Sequence, residues 1–438
     1  MLLFRQFVDD DLGCASYLVA DRGAGVAVVV DPAFAIDQYV EAAADDGVRI
    51  ERVLETHTHA DHLSGHGRFA LEHGVPTAIH AVAAPEYAFE PLADGDVIDA
   101  GDVQIRVLHT PGHRPEHCAF VVDERLVLTG DSLFVGDAAR PDLAVDARDG
   151  AADLFSSLAR LTALGDAVEV FPGHVGGSLC GGNMSSDRST TIGRERETND
   201  ALGHRDVQDF VLVSASVSTP RPPTTEQVVA LNRGPWVALP PDPPELDDAG
   251  DATLLDVRPF ADYTAGHVPG AISVPVSASS FATKAGFVLL PDERVVIHAR
   301  DRAEALAAVQ SLWKIGIFGV AGYVVAPVAE ETLATVDVVE LKELIDASDV
   351  QVVDVREAVE RDDGYIPGSR NIPYRLLRKL GCGALERSKP VVTVCESGPR
   401  AAIAASLLAR EGFDVRAVSP GGISTFDGNV VTFRRCGA

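Results

Sequence analysis

Lysine is nearly missing from this chain: only five of its 37 basic residues are Lys, and none stands before Lys284. That bias fits a GC-rich genome or adaptation to high salt and says little about chemistry. Basic charge as a whole is scarce, because 65 acidic residues leave a net charge of -28. A surface of that sign repels nucleic acid and anionic membranes, so neither is expected as a partner. Long apolar runs are also absent. None could span a bilayer, and the N-terminus shows no basic region followed by an apolar signal core, so a cytoplasmic protein is expected. Cys14, Cys118, Cys180, Cys382, Cys395 and Cys436 are scattered rather than spaced as a framework. This suits a reducing compartment and excludes a disulfide scaffold.

With 438 residues, 46% of them hydrophobic, the chain can bury several cores, and ordinary domain size suggests about three. Residues 1–215 alternate short apolar strands, such as Val26 to Val30, with helical stretches such as Gly150 to Leu164, a layered α/β pattern. Pro-rich stretches at Pro220 to Pro223 and Pro240 to Pro244 bracket one short apolar segment, Val228 to Leu231, so 216–246 reads as a connector. A repeat follows. Asp256-Val257-Arg258, Gly266-His267-Val268-Pro269-Gly270 and Pro275 recur at identical spacing as Asp354-Val355-Arg356, Gly364-Tyr365-Ile366-Pro367-Gly368 and Pro373. Two homologous α/β units are therefore expected, at 247–335 and 336–438.

The strongest chemical signal is His57-Thr58-His59-Ala60-Asp61-His62, set between an apolar strand end at Val53-Leu54 and a helical stretch from Leu63 to His73. His113, Asp131 and His174 follow Pro-Gly, Gly-Asp and Pro-Gly turns. Five imidazoles and two carboxylates without a required thiolate suit a borderline divalent ion. One such residue alone would read as a cap or a core polar group; the packed run reads as a metal site.

This pattern resembles the metallo-β-lactamase fold. Within it, Thr56 to Gly65, Thr110-Pro111-Gly112-His113 and Ala139-Arg140-Pro141-Asp142 resemble the persulfide dioxygenases. The resemblance implies that His57, His113 and Asp131 hold one Fe(II), with positions left open for O2 and substrate. His59, Asp61, His62 and His174 are then outer groups or the ligands of a second metal, because a Zn or dinuclear hydrolase of glyoxalase II type would need the same residues. Arg140 could bind a substrate carboxylate or simply pair with Asp142 or Asp137. Cys180, in a glycine-rich loop after His174, could reach the pocket or be a buried inert thiol.

Near the other end, a short strand Val391 to Val394 leads into Cys395-Glu396-Ser397-Gly398-Pro399-Arg400 and an Ala-rich helix. Backbone N–H groups and the positive end of that helix favour a thiolate at Cys395, and Arg400 adds positive charge. The loop resembles that of rhodanese sulfurtransferases, which implies Cys395 as sulfur carrier and Glu396, Ser397, Gly398, Pro399 and Arg400 as its cradle. In the preceding repeat Ala299 stands at the nucleophile position, in a loop about two residues short, so that unit is expected to be silent. Cys382 and Cys436 read as incidental thiols.

The fold class expected is thus α/β multidomain: an N-terminal αββα sandwich of metallo-β-lactamase type, then two rhodanese domains with parallel sheets. The expected activity is oxidation of a small-thiol persulfide by O2 to sulfite and thiol, coupled through Cys395 to sulfur transfer that gives or uses thiosulfate. The rivals are the Zn-dependent hydrolase and a sulfur-trafficking protein. No motif marks the thiol carrier or a homo-oligomer surface.

Overall fold

In a computed structural model of the chain the described residues are 1–142, 144–176, 184–215, 220–325, 330–383 and 385–432, so Cys180 and Cys436 lie outside them. Two compact units are present: Met1–Pro240 with Trp313–Gly316, and Pro241–Leu312 with Ile317–Ala438. Among the described residues no helix is long and apolar enough to cross a membrane.

The first unit is built on two six-stranded sheets. One runs in chain order through β1 (Leu2–Asp9), β2 (Cys14–Asp21), β3 (Val26–Val30), β4 (Arg49–Leu54), β5 (Thr77–His80) and β6 (Glu90–Leu92). The other uses β7 (Val97–Ala100), β8 (Val103–His109), β9 (Cys118–Val122) and β10 (Leu126–Gly130). After a small hairpin of β11 (Leu133–Phe134) and β12 (Asp137–Ala138), it is completed by β13 (Glu169–Pro172) and β14 (Thr190–Thr191).

Period-two alternation sorts the side chains, because successive residues of a strand face opposite sides. Tyr17 and Val19 of β2 pack with Phe120 and Leu128 between the sheets, whereas Leu18 and Ala20 pack outward against Tyr39 and Phe69 of helices Asp37–Asp46 and His66–His73. On the far side Val127 meets Leu154 and Leu158 of helix Ala147–Thr162. Both faces of each sheet are thus covered, as the αββα expectation requires. Each large apolar side chain buried in this way contributes about 1.5–3 kcal/mol.

Strand direction places the functional loops. β8, β9 and β10 alternate antiparallel and β13 is parallel to β10, so β8, β10 and β13 all point one way. The loops after them, carrying His113, Asp131 and His174, leave the sheet at the same edge.

The second unit holds two sheets that are parallel throughout. One is ordered β16-β15-β17-β18, from β15 (Thr253–Asp256), β16 (Ile272–Ser273), β17 (Val295–His298) and β18 (Val320–Val324). The other is ordered β19-β23-β22-β20-β21, from β19 (Ala334–Val336), β20 (Gln351–Asp354), β21 (Arg370–Asn371), β22 (Val391–Val394) and β23 (Val415–Val418). The repeat has a physical basis in one shared hydrogen-bond set. Arg258 Nη2 donates to Asp256 (2.6 Å) and to the Gly266 carbonyl (2.8 Å), and Arg356 Nη2 donates to Asp354 (2.9 Å) and to the Gly364 carbonyl (2.6 Å).

The expected connector includes regular structure among its described residues, 220–246. Thr225–Arg233 is a helix with Val228 and Asn232 buried, and the first unit runs on to Pro240.

Candidate metal centre and sulfur-carrier loop

β4 ends at Leu54, and the chain turns through Glu55 and Thr56 into the histidine run. Asp31, just past β3, fixes this turn: its carboxylate accepts the Thr56 amide (2.7 Å) and the Thr56 hydroxyl (2.8 Å). The same hydroxyl is 2.9 Å from His57 Nδ1. Since its hydrogen goes to Asp31, it accepts from Nδ1–H, which leaves Nε2 of His57 as a lone pair. His113 is arranged alike, with Nδ1 donating to the Arg140 carbonyl at 3.0 Å. Burial is the first cause that pushes both imidazoles below their ordinary range, so both stay neutral.

Asp131 is held through its backbone. Its amide donates to His117 Nε2 (2.9 Å), and His117 Nδ1 donates to Thr110 Oγ1 (2.8 Å). Burial pushes His117 down to about 3, which keeps it the neutral acceptor this requires. The loop after β13 must pass close by. A Cβ at Gly173 would lie 2.6 Å from Asp131 Oδ1, so only glycine fits there. Burial alone would raise the Asp131 carboxyl, but His174 and then His113 outweigh it and hold it below the usual carboxylate range.

These residues meet in one place. A ligand atom from each of His57, His113 and Asp131 lies within 4.8 Å of the others, and all three residues are buried. His57 Nε2 and Asp131 Oδ2 are buried without a hydrogen-bond partner. Leaving such atoms unpaired costs about 1–3 kcal/mol each, so their convergence fits a divalent cation. His59, Asp61 and His62 form a second group. There His59 Nε2 donates to Glu55 (3.1 Å), while His59 Nδ1 and His62 Nε2 are unpartnered. His174 joins the groups, with Nδ1 2.7 Å from Asp131 Oδ1 and Nε2 2.8 Å from Asp61 Oδ2.

In the second unit Cys395 follows β22 directly, and helix Pro399–Arg410 opens four residues on. The thiol is buried and accepts the Gly398 amide at 3.1 Å. Close packing shapes the loop. A Cβ at Gly422 would come within 2.3 Å of the Glu396 carbonyl oxygen. Glu396 pairs with Arg356 (2.9 Å), and Arg400 is held by both oxygens of Glu360 at 2.6 and 2.7 Å.

The silent repeat differs as expected in lacking the nucleophile, but its loop is one residue short by these helix bounds, not two: helix Arg302–Lys314 opens three residues after Ala299. Its mouth is filled by a helix cap. The Glu304 amide donates to Asp301 (2.8 Å), and the Glu304 carboxylate accepts the Arg300 amide (2.7 Å). The N–H groups at this helix start are thus already taken, and Arg300 Nη2 pairs with the same Glu304 carboxylate at 2.8 Å.

Residues 9–174 match the Metallo-beta-lactamase superfamily, and 244–325 and 337–428 match the Rhodanese-like domain. A hydroxyacylglutathione hydrolase of Francisella philomiragia subsp. philomiragia is 30% identical over 40% of this chain and 68% of its own. The chain belongs to the metallo-beta-lactamase superfamily. The mitochondrial persulfide dioxygenase of Bos taurus is 26% identical over 55% of this chain and 91% of its own. A metallo-beta-lactamase from Staphylococcus aureus subsp. aureus COL has a crystal structure that matches with a TM-score of 0.68 and 28% identity, covering 74% of this chain and 98% of that one. The chain is thus a metallo-beta-lactamase domain followed by rhodanese-like domains.

Arg140 sits at the edge of the metallo-beta-lactamase site, with its guanidinium bidentate on Asp142 at 2.6 and 2.8 Å. The Arg140 carbonyl orients His113. Asp31, Glu55, the role of Thr56 within its motif, His117 and Asn232 escaped sequence reasoning. A polar Asp31 and a Glu55-Thr56 pair directly after apolar strands were the signals available for the first three. Cys14, Cys118, Cys382 and Cys395 are free thiols. Cys382 lines a cavity of about 270 Å³ with Arg378 and Arg410, and burial raises its thiol.

Proposed function

We propose that this protein oxidises a small-thiol persulfide with O2 and passes sulfane sulfur through Cys395. The observation that carries the reading is the convergence of His57, His113 and Asp131, each with a ligand atom within 4.8 Å of the others, and with His57 Nε2 and Asp131 Oδ2 buried and unpartnered. Those three present two neutral imidazoles and one carboxylate. His174, by contrast, has both ring nitrogens within hydrogen-bond distance of Asp131 and Asp61. Asp31 and Glu55 hold His59 above its ordinary range against the opposing effect of burial. A two-His-one-carboxylate set suits a single Fe(II), which supplies open positions for a sulfur donor and O2. The similarity to a persulfide dioxygenase and the rhodanese-like domains support the same chemistry.

The overall reaction balances as RSSH + O2 + H2O → RSH + sulfite + 2 H⁺: the sulfane sulfur loses four electrons and O2 gains them. Thr56 and the Arg140 carbonyl keep the His57 and His113 rings aimed at the site throughout. At Cys395, thiol exchange with RSSH releases RSH and leaves a persulfide. Sulfite then attacks its outer sulfur, the S–S bond breaks, thiosulfate leaves and the thiol is restored. The Gly398 N–H and the start of the following helix stabilise the departing thiolate.

A second reading is a dinuclear hydrolase, favoured by the unpartnered His59 Nδ1 and His62 Nε2 and by the likeness to a hydroxyacylglutathione hydrolase. O2 uptake by anaerobically purified, iron-loaded protein given a small-thiol persulfide separates the two. Uptake lost in His113→Ala, with sulfite accumulating in Cys395→Ser, supports the dioxygenase with sulfur transfer. Iron-loaded protein that takes up no O2 sinks it.

A further inference from the structure

The turn carrying His57, His59 and His62 is tied down from outside the region that matches the superfamily. Asn232, near the end of helix Thr225–Arg233, is only 3% exposed. Its Nδ2 donates to the carbonyls of His59 (3.0 Å) and His62 (2.8 Å), and its Oδ1 accepts the Ser64 amide (2.9 Å). A carboxamide has two donor hydrogens and one acceptor oxygen, so one side chain serves three backbone groups of a single turn. Four residues on, Trp236 stacks on Tyr87 with ring centroids 3.8 Å apart and meets the edge of His66 at 5.5 Å. A Cβ at Gly67 would approach the Val237 amide nitrogen to 3.3 Å. The segment therefore lies against the start of helix His66–His73 as well as on the turn before it.

We propose that Asn232 is a positioning residue of the metal centre, fixing the backbone from which His59, Asp61 and His62 project and, through the same turn, His57. The inference rests on the site being a metal centre and holds for either reaction above. Only an amide meets all three contacts. Asn232→Leu removes every one. Asn232→Asp turns anionic oxygens toward two carbonyls and keeps only the Ser64 contact.

The test is anaerobic titration of the metal-free full chain with Co(II), reading its visible ligand-field bands and its affinity against a competing chelator, beside thermal unfolding of each metal-free variant. Both Asn232 variants are expected to bind Co(II) roughly 10- to 100-fold more weakly, with altered bands. Trp236→Leu loosens the same segment without touching the three hydrogen bonds. It is expected to lower Tm while leaving the bands and the affinity as in the wild type. Wild-type bands and affinity in either folded Asn232 variant overturn the proposal, as does equal spectral loss in Trp236→Leu at equal loss of Tm. A wild-type chain that takes up no Co(II) fails differently: it removes the metal centre itself, and this inference with it.

Discussion

Glu360 grips Arg400 with both carboxylate oxygens, at 2.6 and 2.7 Å, beside the Cys395 loop. The guanidinium is thereby fixed in direction; burial alone would raise Glu360, but its hydrogen bond and charge pairing with Arg400 outweigh this and hold it below its ordinary range. Glu360→Gln keeps the shape and removes the charge. Thiosulfate formation from persulfide and sulfite is expected to fall roughly 10- to 100-fold, because a misdirected Arg400 no longer meets the sulfur oxyanion. O2 uptake should not change, since the other site is untouched. Steady-state assays of both activities on the same preparation check this.

Restoring a thiol to the silent repeat should not restore its chemistry. In the Ala299→Cys, Cys395→Ser double variant, the new thiol would precede a helix start at which the Arg300 amide is taken by Glu304 and the Glu304 amide by Asp301. The Arg300 and Glu304 N–H groups are then not available to a persulfide, whereas at Cys395 the Gly398 N–H already points to the sulfur. Intact-mass analysis after treatment with a persulfide donor should find no sulfane sulfur on the introduced thiol. Stable labelling there would show that the missing thiol alone silenced the unit.

How much of this was legible follows from the range of the interactions. The His57 to His62 run, His113 and Asp131 announce themselves because local turns mark them. The repeat is legible because an Arg two residues after an Asp reaches a carbonyl eight residues on in both copies. The supports were hidden. Asp31 serves Thr56 across 25 residues and Asn232 serves His59 across 173, and no local pattern encodes a partner at such separations. A lone Asp after a strand looks like any turn former. The helix within 216–246 was obscured by flanking prolines that mark its ends rather than an unstructured stretch.

Acid should destabilise the metal-free protein partly through His117. Burial lowers this histidine from 6.5 to about 3, so between those values the unfolded chain takes up a proton that the folded chain refuses. The contribution to stability is complete above about pH 6.5 and is lost as pH falls toward 3, at about 1.4 kcal/mol per pH unit inside the window. His117→Gln removes that one titrating group. Its unfolding free energy, followed by denaturant titration across this range, should fall less steeply than that of the wild type by the equivalent of about one proton. Equal slopes would mean that His117 is not the buried neutral acceptor of the Asp131 amide.

Metal stoichiometry distinguishes the two ligand groups most directly. His57, His113 and Asp131 converge without help from His62, whose Nδ1 lies 3.2 Å from Asp61 and whose Nε2 is unpartnered. If the three-residue set holds a single iron, His62→Ala should retain wild-type iron content after anaerobic reconstitution, with affinity weakened by less than about tenfold through the altered surroundings. His113→Ala should lose the iron, because two remaining ligands cannot hold it and the Arg140 carbonyl is left without its donor. Metal analysis with each variant freed of excess ion by gel filtration reads this out. Two equivalents in the wild type, falling to one in His62→Ala, would instead assign His62 to a second metal and favour hydrolysis over oxidation.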